Sequence, residues 1–229
     1  TNEFPKEGYH GEYIKDLALL VSSQLGDKLL KLSQVEACSK ILSISLTEVL
    51  NLIKSDMTEM NVTYDNWFSE RSLYESQAFD RIMELLKSAN LTKKKDGAIW
   101  FLSSNFGDDK DKVLIRKNGT PTYFASDVAY HWNKFNERHF DWVIDIWGAD
   151  HHGHVPFMNA MLKALNIPHN KLSILLYQLV TLKRNDETVR VSKRTGDIIT
   201  LKELINEVGT DPCRYFFLSR APDTQMDFD

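Results

Sequence analysis

The sequence contains little sulfur. Its 229 residues include two cysteines, Cys38 and Cys213, which fit no paired-cysteine metal site and read as free thiols of a reducing compartment. It also lacks any apolar run of the ~18–20 residues that a membrane span requires, and it shows no secretory signal pattern. These absences predict a cytoplasmic protein with no membrane partner. An excess of positive charge is missing too. The formal net charge is −4 at pH 7, which excludes a general basic coat, so any RNA contact must come from a local patch. There is no internal repeat, low-complexity tract or flexible linker. The chain opens at Thr1 without an initiator methionine and closes at Asp229 without an evident terminal signal, which predicts a piece of something longer. The apolar content of 42% is that of a globular protein, enough for one large domain or two small ones.

Hydrophobic spacing divides the chain near residue 96. Before it the pattern is helical: residues 12–32 with Leu17, Leu20, Val21 and Leu25 on one face, 34–55 with Ile41, Leu42, Leu46 and Ile53, and a third helix around Phe79, Ile82 and Leu86. The stripes read as core packing. Residues 61–68 read as a short strand and Lys93–Gly97 as a charged turn. After residue 96 the periods change. Strands are predicted at 98–102, 113–116 and 120–124, the last two flanking Asn118-Gly119, a strong hairpin signal. Helix is predicted at 126–136, strand at 142–147, helix at 154–165, strand within 172–182, then helices at 201–208 and 211–218, the last opened by Gly209-Thr210-Asp211-Pro212. Alternation of this kind predicts an α/β fold with a parallel sheet.

Three segments carry candidate chemistry. Val189–Asp197 places Ser192-Lys193-Arg194 on a glycine-terminated loop between two ordered elements. Such a loop can close over a polyphosphate and neutralise charge as a phosphoanhydride breaks, or it can be a solvated turn. Gly148-Ala149-Asp150-His151-His152-Gly153-His154 follows a buried strand and opens a helix, where ligands of parallel sheets bind. Its histidines can donate to phosphate or carboxylate. The same segment admits a structural cap through Asp150, or a metal site, although His151 and His154 are three rather than four apart. Finally, Tyr123 and Asp127 lie four apart where a strand gives way to a helix. A carboxylate beside a phenol suits a guanidinium or ammonium group; the alternative is a helix cap at Ser126 or Asp127 with Tyr123 packed.

Taken in order, Tyr9–Ile14, Asp96–Phe101, Thr122–Ala129, Gly148–Gly153, Ser192–Gly196, Gly209–Phe216 and Asp227–Asp229 resemble the catalytic domain of bacterial-type arginyl-tRNA synthetases, class I enzymes, over nearly the whole chain. The resemblance implies adenylation of L-arginine with ATP, Mg²⁺ sharing the phosphate charge, and transfer of arginine to tRNA(Arg) by a monomer. It implies that Arg190, Ser192 and Lys193 form the flap equivalent to the family's Lys-Met-Ser-Lys-Ser motif, with Val191 in place of Met and Lys193 stabilising the pyrophosphate. It further implies that Tyr123, Asp127 and His151 read arginine and that Gly148, Asp150 and His154 contact ATP. The family's His-x-Gly-His signature lies upstream of the Tyr9 segment, so His151–His154 is not that signature and the first half of the nucleotide site is expected to be absent. The implied division is 1–19 catalytic segment, 20–95 helical connective insertion, and 96–229 second half of a partial Rossmann-like sheet. Two other functions stay open: a non-catalytic module that binds arginine or RNA, and a zinc hydrolase using His151, His152 and His154.

Overall fold

The computed structural model describes residues 11–189 and 199–229. These fall into two compact units. One is drawn from Thr1–Asp65, Val180–Ala221 and Asp227–Asp229, the other from Asn66–Leu179 and Pro222–Met226.

In the first unit, α1 (Glu12–Leu25) runs into a 3-10 turn, and α2 (Gln34–Glu59) spans 26 residues. Ser33 starts α2 with a reciprocal capping box: its hydroxyl accepts from the Glu36 amide, and the Glu36 carboxylate accepts from Ser33. These bonds hold the Glu36 carboxyl below its ordinary value. The predicted stripe of α2 is not packed, however. No α2 residue is buried, and Leu46 is 49% exposed. Periodicity shows that a helix is amphipathic, not that a partner covers it. The C-terminal end of α2 is tied to α7 (Leu201–Val208) by the Lys202–Glu59 ion pair, and to α8 (Thr210–Leu218) by Arg214, which donates to the Met60 carbonyl. A small sheet pairs β6 (Val180–Arg184) with β7 (Glu187–Thr188) and β8 (Met226–Phe228). The Asp229 carboxylate accepts from the amides of Asn185 and Asp186 in the β6–β7 turn, both residues with positive φ.

The second unit holds the main core. Helices α3 (Arg71–Glu75) and α4 (Ala78–Ser88) lead into an antiparallel sheet of β1 (Thr92–Lys95), β2 (Ala98–Phe101) and β3 (Lys112–Ile115). The lysines expected in a turn are therefore in strand β1. The turn itself is Asp96-Gly97, with φ of 52° and 78°, the two-residue connection that both positive φ values permit. Asn118-Gly119 does turn the chain, but the strand expected at 120–124 shrinks to the Ile115–Pro121 bridge, because α5 (Tyr123–Trp132) begins at once. Residues 61–68 form no strand. Asn61 turns the chain at φ 52°, no neighbouring strand pairs with the segment, and Phe68 stacks on Tyr130 instead. The expected parallel sheet is present as β4 (Val143–Gly148) and β5 (Leu172–Tyr177), in register from Val143–Leu172 to Gly148–Tyr177 with α6 (Val155–Ala164) between them in sequence. Phe101, Phe124 and Phe157 pack edge to face at the centre of this unit, with Ile82, Leu86 and Met161 fully buried around them.

Leu86→Ala should therefore lower stability by about 2–5 kcal/mol, whereas Leu46→Ala on α2 should change it by no more than about 0.5 kcal/mol. Denaturant midpoints at constant slope measure both. A Leu46 loss as large as that of Leu86 would mean that the α2 stripe is covered in solution.

Candidate functional site

The chain direction brings α5 and the loop after β4 together. Thr122 precedes α5 without capping it, because its hydroxyl donates to the Val113 carbonyl on β3. Ser126 and Asp127 lie within the helix rather than at its cap, and Ser126 exchanges a hydrogen bond with the Tyr74 hydroxyl. Tyr123 and Asp127, four apart, share one helix face. Tyr123 is 60% exposed.

After β4, Ala149–His154 forms a 3-10 turn that runs straight into α6. Asp150 makes no capping bond there. A Cβ on Gly148 would stand 2.5 Å from Asp150 Oδ1, the tip of an exposed side chain that would have to turn aside. His151 Nε2 lies 3.7 Å from Asp150 Oδ2 on the exposed side of the turn. His154 points the other way and is 8% exposed. Its ring is enclosed by Tyr123, Phe124, Trp147 and Phe157 at centroid distances of 4.9–5.4 Å. His154 Nε2 is 2.8 Å from Asp127 Oδ2. Opposite a carboxylate Nε2 is the donor, and Nδ1 is left buried with no hydrogen-bond partner among the described residues. A buried polar atom without a partner is costly, and a ligand group can satisfy it.

These residues border a cleft of about 610 Å³, lined by Tyr123, Phe124, Asp150, His151 and His154 on one side and by Trp100, Lys112 and Arg116 on the other. That volume falls in the range of small-molecule sites. Asp127 and Gly148 do not line it themselves. Asp127 reaches it through His154, and Gly148 ends β4 just before the turn that bears Asp150. The cations on and beside β3 were not foreseen, although Lys110, Lys112 and Arg116 could have been noticed as alternating charges leading into the Tyr123 segment. Lys112 pairs with Asp108 and lies over the Phe124 ring. Asp111 is partly buried, which would raise its carboxyl, but the bonds from Lys93 and Ser104 outweigh this and hold it low. Arg190, Ser192 and Lys193 lie outside the described residues. Among the described residues, no three His, Cys, Asp or Glu side chains converge to hold a metal ion, and no helix is long and apolar enough to cross a membrane.

A second cluster sits beneath the cleft and was not visible as a motif. His131 on α5 is 2% exposed. Its Nδ1 lies 2.8 Å from the Asp127 carbonyl and its Nε2 2.7 Å from Asp145 Oδ2 on β4. Lys134, in the π-helical turn Asn133–Glu137 that continues α5, donates to Asp145 Oδ1 at 2.8 Å. Burial alone would push the Asp145 carboxyl up, but His131 and Lys134 outweigh it and hold it below the usual carboxylate range.

Asp150 and the histidines of this turn stand just past the carboxyl end of parallel strand β4, where ligands of α/β sheets commonly bind. The profile of class I tRNA synthetases (R), catalytic domain, matches residues 18–214, and the chain belongs to that family. Among curated relatives, the arginine–tRNA ligase of Dehalococcoides mccartyi is 51% identical over 98% of this chain, and that of Carboxydothermus hydrogenoformans 51% identical over 99%. The chain spans 40% and 41% of their lengths. An arginyl-tRNA synthetase structure from Campylobacter jejuni superposes with a TM-score of 0.88 at 36% identity, covering 100% of this chain and 49% of that one. The Thermus thermophilus arginyl-tRNA synthetase, at 16% identity and a TM-score of 0.65 over 88% of this chain and 46% of its own, shares the fold.

A carboxyl whose folded pKa lies below its unfolded value of about 3.9 stabilises the fold above that pH, and the contribution disappears as pH falls through the folded value. Thermal stability should thus decline below about pH 4, and Asp145→Asn should flatten part of that acid limb while lowering stability at neutral pH. An acid limb parallel to that of the unsubstituted chain would show that the fold does not hold the Asp145 carboxyl below its unfolded value.

Proposed function

We propose that the chain is the arginine- and ATP-binding portion of an arginine–tRNA ligase, which joins arginine to AMP and passes it to tRNA(Arg). The observation that carries this reading is the convergence of Tyr123, the Asp127–His154 pair and Asp150 on one cleft. A guanidinium has planar donors that match a carboxylate and a face that stacks on a phenol ring. Tyr123 supplies the ring face from the cleft lining, and Asp127, set behind it with Oδ2 bonded to His154, supplies the carboxylate, its Oδ1 being the atom assigned to the guanidinium. The Asp150 carboxylate can accept from ribose hydroxyls or the arginine ammonium, the amides of the 3-10 turn can donate to ribose oxygens, and the unpartnered Nδ1 of His154 awaits a donor. His151, on the exposed wall, completes the contacts. ATP fits the same cleft, between the turn after β4 and the cations of β3. Mg²⁺ enters with the phosphates, which it coordinates together with few protein groups. When bound it spreads their negative charge; this chain's residues orient the arginine carboxylate for attack on the α-phosphorus. Lys193, with Arg190 and Ser192 on the same loop, stabilises the departing pyrophosphate. In this reading 20–95 is the helical insertion and 96–229 the second half of the nucleotide fold. The protein acts as a monomer in the cytoplasm.

Two variants separate the roles. Asp127→Asn should weaken arginine binding about tenfold or more, the loss expected for a charged hydrogen bond of about 1.5–3 kcal/mol, and leave ATP binding unaltered. Lys193→Ala should weaken ATP and spare arginine. Calorimetry with each ligand reads both effects, and equal effects of either variant on the two ligands would overturn the assignment. Arginine-dependent ATP–pyrophosphate exchange then separates activation from mere arginine binding. The 229-residue chain should exchange slowly, since it covers about two fifths of its relatives' length, and full-rate exchange would contradict that expectation.

A further inference from the structure

Asp127 is held at both ends by histidines. Its carboxylate accepts from His154, which sits on the turn after β4, and its backbone carbonyl accepts from Nδ1 of His131, which is anchored to Asp145 in the middle of β4. The two links join α5 to the same strand and its exit loop at separate points. Core packing of Ala125, Val128 and Ala129 holds the helix as a whole, and the two polar links add a directional restraint at Asp127 itself, on its carbonyl and on its carboxylate. The anchoring group is costly. Asp145 and His131 are buried, and Lys134 is nearly so, resting 4.3 Å from the Tyr130 ring centroid. Apolar side chains of similar size commonly serve stability as well or better than a buried ionic cluster. What such side chains cannot do is hold a helix in one register through directional bonds.

We propose that His131, fixed by Asp145 and Lys134, is a positioning residue that sets the Asp127 carboxylate for its ligand. This rests on the reading of Asp127 as the guanidinium contact. His131 touches neither the cleft lining nor any reacting group; it acts only through Asp127.

The test uses the 229-residue chain, ¹⁵N-labelled, with the seven histidines assigned by single substitution. Long-range ¹H–¹⁵N spectra report whether His154 Nε2 keeps its bond to Asp127. In His131→Phe, which fills the space without the bonds, the His154 ring signals should move toward those of a free imidazole, and the amides at the start of α5 should exchange faster. Arginine affinity, read by calorimetry with L-arginine, should fall about tenfold. His131→Asn, whose amide nitrogen stands where Nδ1 does and keeps the donor to the Asp127 carbonyl, should retain more of both than His131→Phe. A purely structural role would lower the melting temperature without moving the His154 signals. Unchanged His154 signals in a folded His131→Phe chain overturn the proposal. Should that variant not fold, Asp145→Asn decides by the same signals, a shift supporting the role and none overturning it. If Asp127→Asn leaves arginine binding intact, the guanidinium reading fails, and the His154 signals alone then decide whether His131 sets Asp127.

Discussion

The candidate site depends on one short hydrogen bond, between the imidazole of His154 and the carboxylate of Asp127. It links a helix that begins beside β3 to a turn that leaves β4, and everything chemically distinctive about the cleft lies within a few ångströms of it. The aromatic rings around His154 remove water from the bond and so strengthen it, because a charge-assisted hydrogen bond gains as the local dielectric falls. The same rings make the bond costly to lose. A second buried imidazole nitrogen without a partner, beside the unpartnered Nδ1, would add to the cost of burying this ring, so the bond to Asp127 favours the packing of α5 against the turn after β4.

The two sides of the site are supported in different ways. The β4–β5 pair, α5 and α6 share an apolar core of tightly packed phenylalanine, leucine and methionine side chains, and the turn bearing Asp150 continues directly into α6. The opposite wall, from β2 and β3, presents cations that are themselves held, Lys112 by Asp108 and Arg116 by Thr120 and the Pro121 carbonyl. This difference follows from the position of the two sheets, not from any single residue.

Much of this was legible in the chain itself. The segments holding Tyr123 and the glycine-framed run from Gly148 to His154 were singled out in the sequence and meet along one side of the cleft, and the helical stripe of Phe79, Ile82 and Leu86 marked part of the core. Other features needed coordinates. The stripe on α2 has the same periodicity as that on α4 yet stays exposed, since periodicity carries no information about what lies opposite. Lys93–Lys95 looked like part of a turn on composition, although Asp96-Gly97 alone does the turning and the lysines extend in a strand. His131, Lys134 and Asp145 were invisible as a group: 14 residues separate the imidazole from its carboxylate, and only the packing of α5 on β4 brings them together. Arg190, Ser192 and Lys193, conspicuous as a motif, fall outside the described residues, so their role remains an inference from resemblance.

The Asp96-Gly97 hairpin has a consequence for the length of this segment. Side chains of a strand alternate faces with a period of two, and the turn fixes which lysine of β1 faces which residue of β2: Thr92 stands opposite the buried Phe101 and Lys93 opposite Trp100. Adding or removing one residue at this turn would exchange the two faces and bring an ammonium group to the core side at Phe101. The hairpin therefore works as a parity check on the chain: both of its residues must accept positive φ, and their number must stay even.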